Sequence, residues 1–224
     1  MKKGNSKSDR MKYSAVLFDV DGTIVSNKAV VKAVQEALRK MGVEALSDKV
    51  ITDEFIGWGF RGKYKETFNA SEEDVQRFIE FYWDFYIKNH AHYSPLFPSV
   101  VPVFKKLKDA DIKIGIVTSK AKIEADAVND AYNLRPYLDV YVTRKDAAKV
   151  SPAPDQLLLA AKKMWVRPQT CIFIGDQILN MQAAKSAGCT AVGVTTGCDP
   201  RHELLQAGAD HVIDDLQELL EIVM

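Results

Sequence analysis

Two kinds of hydrophobic pattern share this chain. Short runs that are apolar throughout occur as YSAVLF (13–18), IKIGIV (112–117), VYV (140–142), CIFI (171–174), TAVGV (190–194) and HVI (211–213). Unbroken apolar runs suit strands covered on both faces of a parallel sheet, whereas alternation would suit strands with one wet face. Between the later runs lie amphipathic stretches near 121–132, 155–164, 180–187 and 201–207. Strand and helix in alternation predict an α/β fold, a doubly wound parallel sheet of Rossmann-like kind with right-handed crossovers.

Residues 26–94 break the rhythm and hold no convincing strand. Ser71 ahead of Glu72, Glu73 and Asp74 is a capping-box start for a helix. After it Val75, Phe78, Ile79, Tyr82, Phe85 and Tyr86 fall at helical spacing. A second helix is expected across Val30 to Met41, ended by Gly42. The aromatic stripe reads as packing between helices, and Pro95 and Pro98 mark the return to the sheet. The expected organisation is a disordered tail over 1–12, an α/β core from 13–25 and 95–224, and an all-helical cap over 26–94.

A split domain of this kind accounts for the length. At 224 residues the chain is long for one simple domain of roughly 150 residues and short for two. With 47% hydrophobic and 27% charged residues it can build a sizeable core, which excludes disorder as the main state. Thirty basic residues against 30 acidic ones leave no net charge, hence no global field to attract nucleic acid or anionic lipid. No apolar run reaches the roughly 18 residues that would span a bilayer. The basic start MKKGNSKSDR is followed by no apolar signal-peptide core, and Met11 is a second plausible start. Cys171, Cys189 and Cys198 form no CxxC and leave an odd one over, which fits a reducing compartment. The expectation is a cytoplasmic protein, monomer or homodimer, with no nucleic-acid or membrane partner.

Chemistry is sought where parallel sheets hold ligands, beyond the carboxyl ends of the strands. The first strand is followed by Asp19-Val20-Asp21-Gly22-Thr23, whose two carboxylates, two residues apart on extended chain, share one side. The second core strand is followed by Thr118-Ser119-Lys120, and CIFI by Gly175-Asp176. Lys149, in the loop after VYV, is placed to reach the same crevice. Each residue alone has an ordinary structural role as turn, cap or surface charge. Their convergence on separate strand ends favours a site.

These residues resemble the signature of the haloacid dehalogenase superfamily, the aspartate-nucleophile phosphatases. The resemblance rests on F-D-V-D-G-T (18–23), V-T-S (117–119), Lys149 in K-V-S-P-A-P-D, and I-G-D-Q-I-L-N-M-Q-A-A (174–184). The helical insert after the first motif is similar to the cap of the phosphoglycolate phosphatase-like branch. The resemblance implies that Asp19 attacks phosphorus and forms a phosphoaspartyl intermediate. Asp21 would then serve as general acid and base. Thr118, Ser119, Gly22 and Thr23 would bind the phosphoryl group, and Lys149 would neutralise charge. Mg²⁺ would be held by Asp19, the main-chain carbonyl of Asp21, and Asp176. Three carboxylates against Lys149 leave two negative charges, a surplus that repels a phosphate unless a divalent cation is bound.

Three departures from the family pattern stand out. Asn180 occupies the place of a second acidic residue, so it would hold a metal-bound water without adding charge and weaken Mg²⁺ affinity. Gln177 replaces a small hydroxyl residue and Val150 a proline. The expected reaction is Mg²⁺-dependent hydrolysis of a small soluble phosphate monoester: phosphoglycolate, a sugar phosphate, a nucleotide or pyrophosphate. Two alternatives remain open: a β-phosphoglucomutase-like phosphomutase, and a weakly catalytic phosphate-sensing or partner-binding protein.

Weaker signals are set aside. Gly57 to Gly62 matches GxGxxG but follows the helical-looking ITDEFI rather than a strand, so it fails as a dinucleotide fingerprint. It reads as a flexible cap loop that would carry Trp58, Arg61 or Lys63 over the crevice to bind substrate. His90 and His92 have no partner at metal-ligand spacing.

Overall fold

The computed structural model describes residues 12–56 and 59–224. The expected tail over 1–12 therefore lies outside the described residues except for Lys12, as do Gly57 and Trp58.

Six strands form one parallel sheet: β1 (Ala15–Phe18), β2 (Lys113–Val117), β3 (Val140–Val142), β4 (Cys171–Gly175), β5 (Thr190–Val194) and β6 (His211–Ile213). Their spatial order is β3-β2-β1-β4-β5-β6, so the order reverses beside β1. Val16 faces Ile114 on one side and Ile172 on the other, which aligns the carboxyl ends of the three central strands. Every apolar run read from the sequence is one of these strands. β1 and β4 are buried along their whole length, as unbroken apolar runs require.

Between β1 and β2 the chain forms α1 (Lys28–Met41), α2 (Asp48–Glu54), α3 (Phe60–Phe68), α4 (Glu72–Tyr93) and α5 (Val100–Asp109). Helices α1 to α4 share a hydrophobic cluster of their own, distinct from the two clusters on the faces of the sheet. Ser71 caps α4 through Asp74 N–H, and Gly42 ends α1 at φ +70°, where a left-handed residue is needed. The fold is a doubly wound α/β core with an inserted all-helical cap. The remaining crossovers are α6 (Lys122–Ala131), α7 (Asp155–Lys163), α8 (Ile178–Ala187) and α9 (Arg201–Gln206), with α10 (Leu219–Val223) at the end.

One local expectation is corrected. Phe60, Arg61 and Gly62 begin α3 rather than forming a flexible loop, and Gly59, at φ +89°, is the turn into it. Phe60 packs on Tyr82 with ring centroids 4.3 Å apart, so helical burial overrides the loop-like glycine spacing. The clear helix α5, behind Pro98, has no counterpart among the sequence-level expectations.

Candidate active site

β1 ends at Phe18, and Asp19 N–H donates to Ile174 O at 3.0 Å, which anchors the departing loop to β4. Asp19 Oδ1 accepts from Val20 N–H at 2.7 Å, and Oδ2 from Asn180 Nδ2 at 3.2 Å. The Thr118 hydroxyl lies beside the same carboxylate. Burial pushes the Asp19 pKa up to about 6, with Asp21 adding to the effect and these hydrogen bonds opposing it.

Asp176 follows β4 and is 1% exposed. Its Oδ2 accepts from Cys198 N–H at 2.8 Å. Burial, and then the charge of Asp19, push its pKa up to about 8. Gly22, at φ +69°, and Gly197 close around this carboxylate, and a Cβ on either would collide with it. Thr196 Oγ1 donates to Gly22 O at 2.6 Å and fixes the approach of the two loops.

Asp21 is held from the other side. Its Oδ2 lies 2.7 Å from Lys120 Nζ, while Oδ1 is buried without a hydrogen-bond partner. Lys120 is 7% exposed. Its Nζ also lies 3.7 Å from Glu124 Oε1 and 4.4 Å from the centre of the Tyr86 ring. Burial alone would lower the Lys120 pKa, but Asp21, Tyr86 and Glu124 outweigh it and hold the ammonium charged. Asp21 itself is raised by burial, with Lys120 acting against the rise. Glu124 is fully engaged: Tyr82 Oη donates to Oε1 at 2.8 Å and Ala121 N–H to Oε2 at 3.2 Å. Tyr82 and Tyr86 belong to α4, Lys120 to the loop after β2 and Glu124 to the first turn of α6, so this cluster joins cap to core.

The sequence shows Lys120 only as a polar residue after β2. The missed signal is its i,i+4 pairing with Glu124 at the first turn of α6. Lys149 is exposed, outside the residues that line the cavity above Asp19. Thr118 and Ser119 do line it, their loop held by Gln156 Nε2 donating to Thr118 O at 2.9 Å and Arg144 Nε donating to Ser119 O at 2.8 Å. Thr23 is buried, its hydroxyl without a partner, and lies away from that cavity. Arg61 lines the cavity but pairs with Glu72 at 3.1 Å; Lys63 pairs with Glu54 at 2.7 Å and does not line it. His90 is buried against Tyr86, with Nε2 3.1 Å from Ala127 O, a packing role.

Asp19, half-buried, and Asp176, fully buried, are two carboxylates each raised by its surroundings, and a hard, oxygen-seeking cation fits such a pair. Among the described residues, no group of three or more His, Cys, Asp or Glu side chains gathers around a metal position. Asn180 turns its amide nitrogen rather than its oxygen to Asp19, and its Oδ1 accepts from Gln177 N–H at 3.0 Å. The fit therefore rests on the Asp19 and Asp176 carboxylates.

Asp19, Asp21, Thr118, Ser119 and Lys120 share a cavity of about 240 Å³ beneath the cap. The family profile of the haloacid dehalogenase-like hydrolases matches residues 16–194, from β1 through β5. The chain belongs to this family. The hydrolase is 26% identical to phosphoglycolate phosphatase of Escherichia coli K12 over 92% of its length and 90% of that protein's. Among solved structures it resembles a hydrolase from Pseudomonas syringae, at 29% identity and TM-score 0.82, covering 94% of this chain and 99% of that one. It also shares its fold with CbbY from Rhodobacter sphaeroides, solved in complex with phosphate, at 21% identity and TM-score 0.81 over 92% and 96% of the two chains.

Proposed function

We propose that this hydrolase is a Mg²⁺-dependent phosphatase acting on small phosphate monoesters, with Asp19 as nucleophile. The observation that supports it best is the convergence of Asp19 and Asp21, from the loop after β1, with Thr118, Ser119 and Lys120, from the loop after β2, on one cavity. The name of the Escherichia coli relative, phosphoglycolate phosphatase, points the same way.

In this reading an Asp19 oxygen attacks phosphorus as the ester oxygen departs, and Asp21 gives that oxygen its proton. The product is an alcohol and a phosphoaspartyl group on Asp19. Water then attacks the phosphorus, Asp21 takes its proton, and phosphate leaves with Asp19 restored. Thr118 and Ser119 hydrogen-bond the transferring group. Lys120 holds Asp21 in place, and Lys149 would reach the phosphoryl group only by leaving its exposed position. Asp19, Asp176 and the Asp21 carbonyl would hold Mg²⁺, which when bound offsets the negative charge of the carboxylates and the phosphate.

The test is phosphate release from para-nitrophenyl phosphate, a generic aryl monoester, with and without Mg²⁺, by the native protein and by Asp19→Asn. Mg²⁺-dependent release lost in the variant supports the reading. No release at millimolar Mg²⁺ overturns it.

A further inference from the structure

Uncommitted positive charge reaches the cavity at one edge. On the cap side Val30, Phe55 and Ile79 wall it with hydrocarbon. Lys120 is taken by Asp21, and Arg61 by Glu72. Arg144 and Lys145, in the loop after β3, also line the cavity, and among the described residues neither has an acidic partner. Both are exposed, so they stand at its rim.

The loop holds Arg144 in one place. Thr143 N–H and Oγ1 both donate to Asp146 Oδ2 at 2.7 Å, which closes a tight turn around it. Arg144 N–H donates to Lys120 O at 3.1 Å, and its Nε to Ser119 O at 2.8 Å. The guanidinium is thereby strapped to the loop that carries Thr118 and Ser119. Its two terminal nitrogens face the cap, 3.8 and 3.6 Å from the point where a Cβ on Gly59 would stand. Four N–H donors of a rigid fork thus lie between the Thr118-Ser119 loop and the start of α3, with no protein acceptor among the described residues.

We infer that Arg144 is a specificity-determining residue: it binds a second anionic group, a carboxylate or a phosphate, on the alcohol that leaves from the phosphate monoester. Lys145 adds charge at the same edge. The inference rests on the phosphatase reading and specifies its leaving group. Attacking and leaving oxygens lie roughly in line across phosphorus, so the alcohol extends away from Asp19, toward the cap. An anion on it would lie unpaired against the cap wall, an unfavourable burial of charge. At the Arg144 edge it meets a guanidinium, which takes a carboxylate or phosphate through two parallel N–H···O bonds. The direction of the fork separates this role from one on the transferring phosphoryl group, because its free donors face Gly59 of the cap and not the carboxylate of Asp19.

The experiment uses two matched pairs of substrates: 2-phosphoglycolate against its neutral amide, and 1,3-propanediol bisphosphate against 3-hydroxypropyl phosphate. In one pair or both, kcat/KM should be at least tenfold higher for the member with the second anion, the scale of a charge-assisted hydrogen bond. The pair that shows the preference names the anion. Arg144→Met should bring that ratio to about one. A residue that only braced Ser119 would slow both members alike and leave the ratio standing. A native ratio near one for both pairs, or a ratio that Arg144→Met leaves unchanged, overturns the inference and leaves the phosphatase reading intact. Absence of turnover on all four esters overturns the phosphatase reading, and binding then decides the anion site by itself. Calorimetry with Asp19→Asn, which needs no turnover, compares phosphonoacetate with phosphonoacetamide and propane-1,3-bisphosphonate with propylphosphonate. At least tenfold tighter binding of one charged member supports the site, and equal binding within both pairs overturns it.

Discussion

Lys120 Nζ lies 2.7 Å from Asp21 Oδ2 in a site where the lysine side chain is 5% and the aspartate side chain 16% exposed. The cation nearest the proposed general acid is thus supplied by the residue after Thr118-Ser119, not by the loop after β3. Glu124, 3.7 Å from the same ammonium, adds a fourth carboxylate, so Asp19, Asp21, Asp176 and Glu124 against Lys120 leave three formal negative charges rather than the two reckoned with Lys149.

Lys120→Met should leave Asp21 and Glu124 buried without a counter-charge. Removing one partner of a buried pair costs about 3–5 kcal/mol. With about 2–4 °C of Tm per kcal/mol for a chain of this size, the drop should exceed ~6 °C. Lys149→Met, at an exposed position, should leave Tm within about 1 °C. Differential scanning calorimetry of the two variants decides, and equal effects would dissolve the Lys120 assignment.

Tyr82→Phe removes the hydroxyl that ties α4 to Glu124 across the cap–core boundary. A hydrogen bond to a charged group contributes about 1.5–3 kcal/mol. Urea unfolding should show that loss, and hydrogen exchange should report faster opening of α4 and α6 together. Unchanged exchange would mean that the bond does not couple the two layers.

Asp19 and Asp176 have pKa values raised by burial, to about 6 and about 8. For acids raised on folding, stability is fully present below the unfolded pKa and is lost as pH rises through the folded values. The metal-free protein should therefore lose Tm between pH 5 and pH 8. Mg²⁺, which competes with those protons, should raise Tm more at pH 8 than at pH 5. A Mg²⁺ increment independent of pH would count against these two carboxylates as its site.

Asn180→Asp replaces the amide that donates to Asp19 with another negative charge. Without metal the variant should melt lower than the native protein. Its half-maximal Mg²⁺ concentration for turnover should fall, because divalent affinity follows ligand charge. An unchanged Mg²⁺ requirement would show that position 180 has no influence on the metal.

Much of this architecture was legible in the residues. The six apolar runs are the six strands, because strands buried on both faces cannot hide their composition. Asp19, Asp21, Thr118 and Asp176 were readable because position after a parallel strand is a one-dimensional property. The Lys120–Glu124–Tyr82 cluster was not, since it forms only when α4 settles over the start of α6, a contact between distant segments. The apolar wall above the site was hidden for the same reason: Val30, Phe55 and Ile79 look like ordinary helix-core residues until the cap is placed. Glycine spacing at 57–62 misled, because Phe60 draws the chain into a helix.

The most direct test of the account is whether phosphate passes through Asp19. The native protein, mixed with Mg²⁺ and a phosphate monoester that it turns over and then quenched in acid within a single turnover, should yield a peptide containing Asp19 heavier by one phosphoryl group. Asp19→Asn should give no such peptide and a rate lower by at least ~10³-fold. A phosphorylated peptide lacking Asp19, or a variant that keeps its activity, would contradict the account.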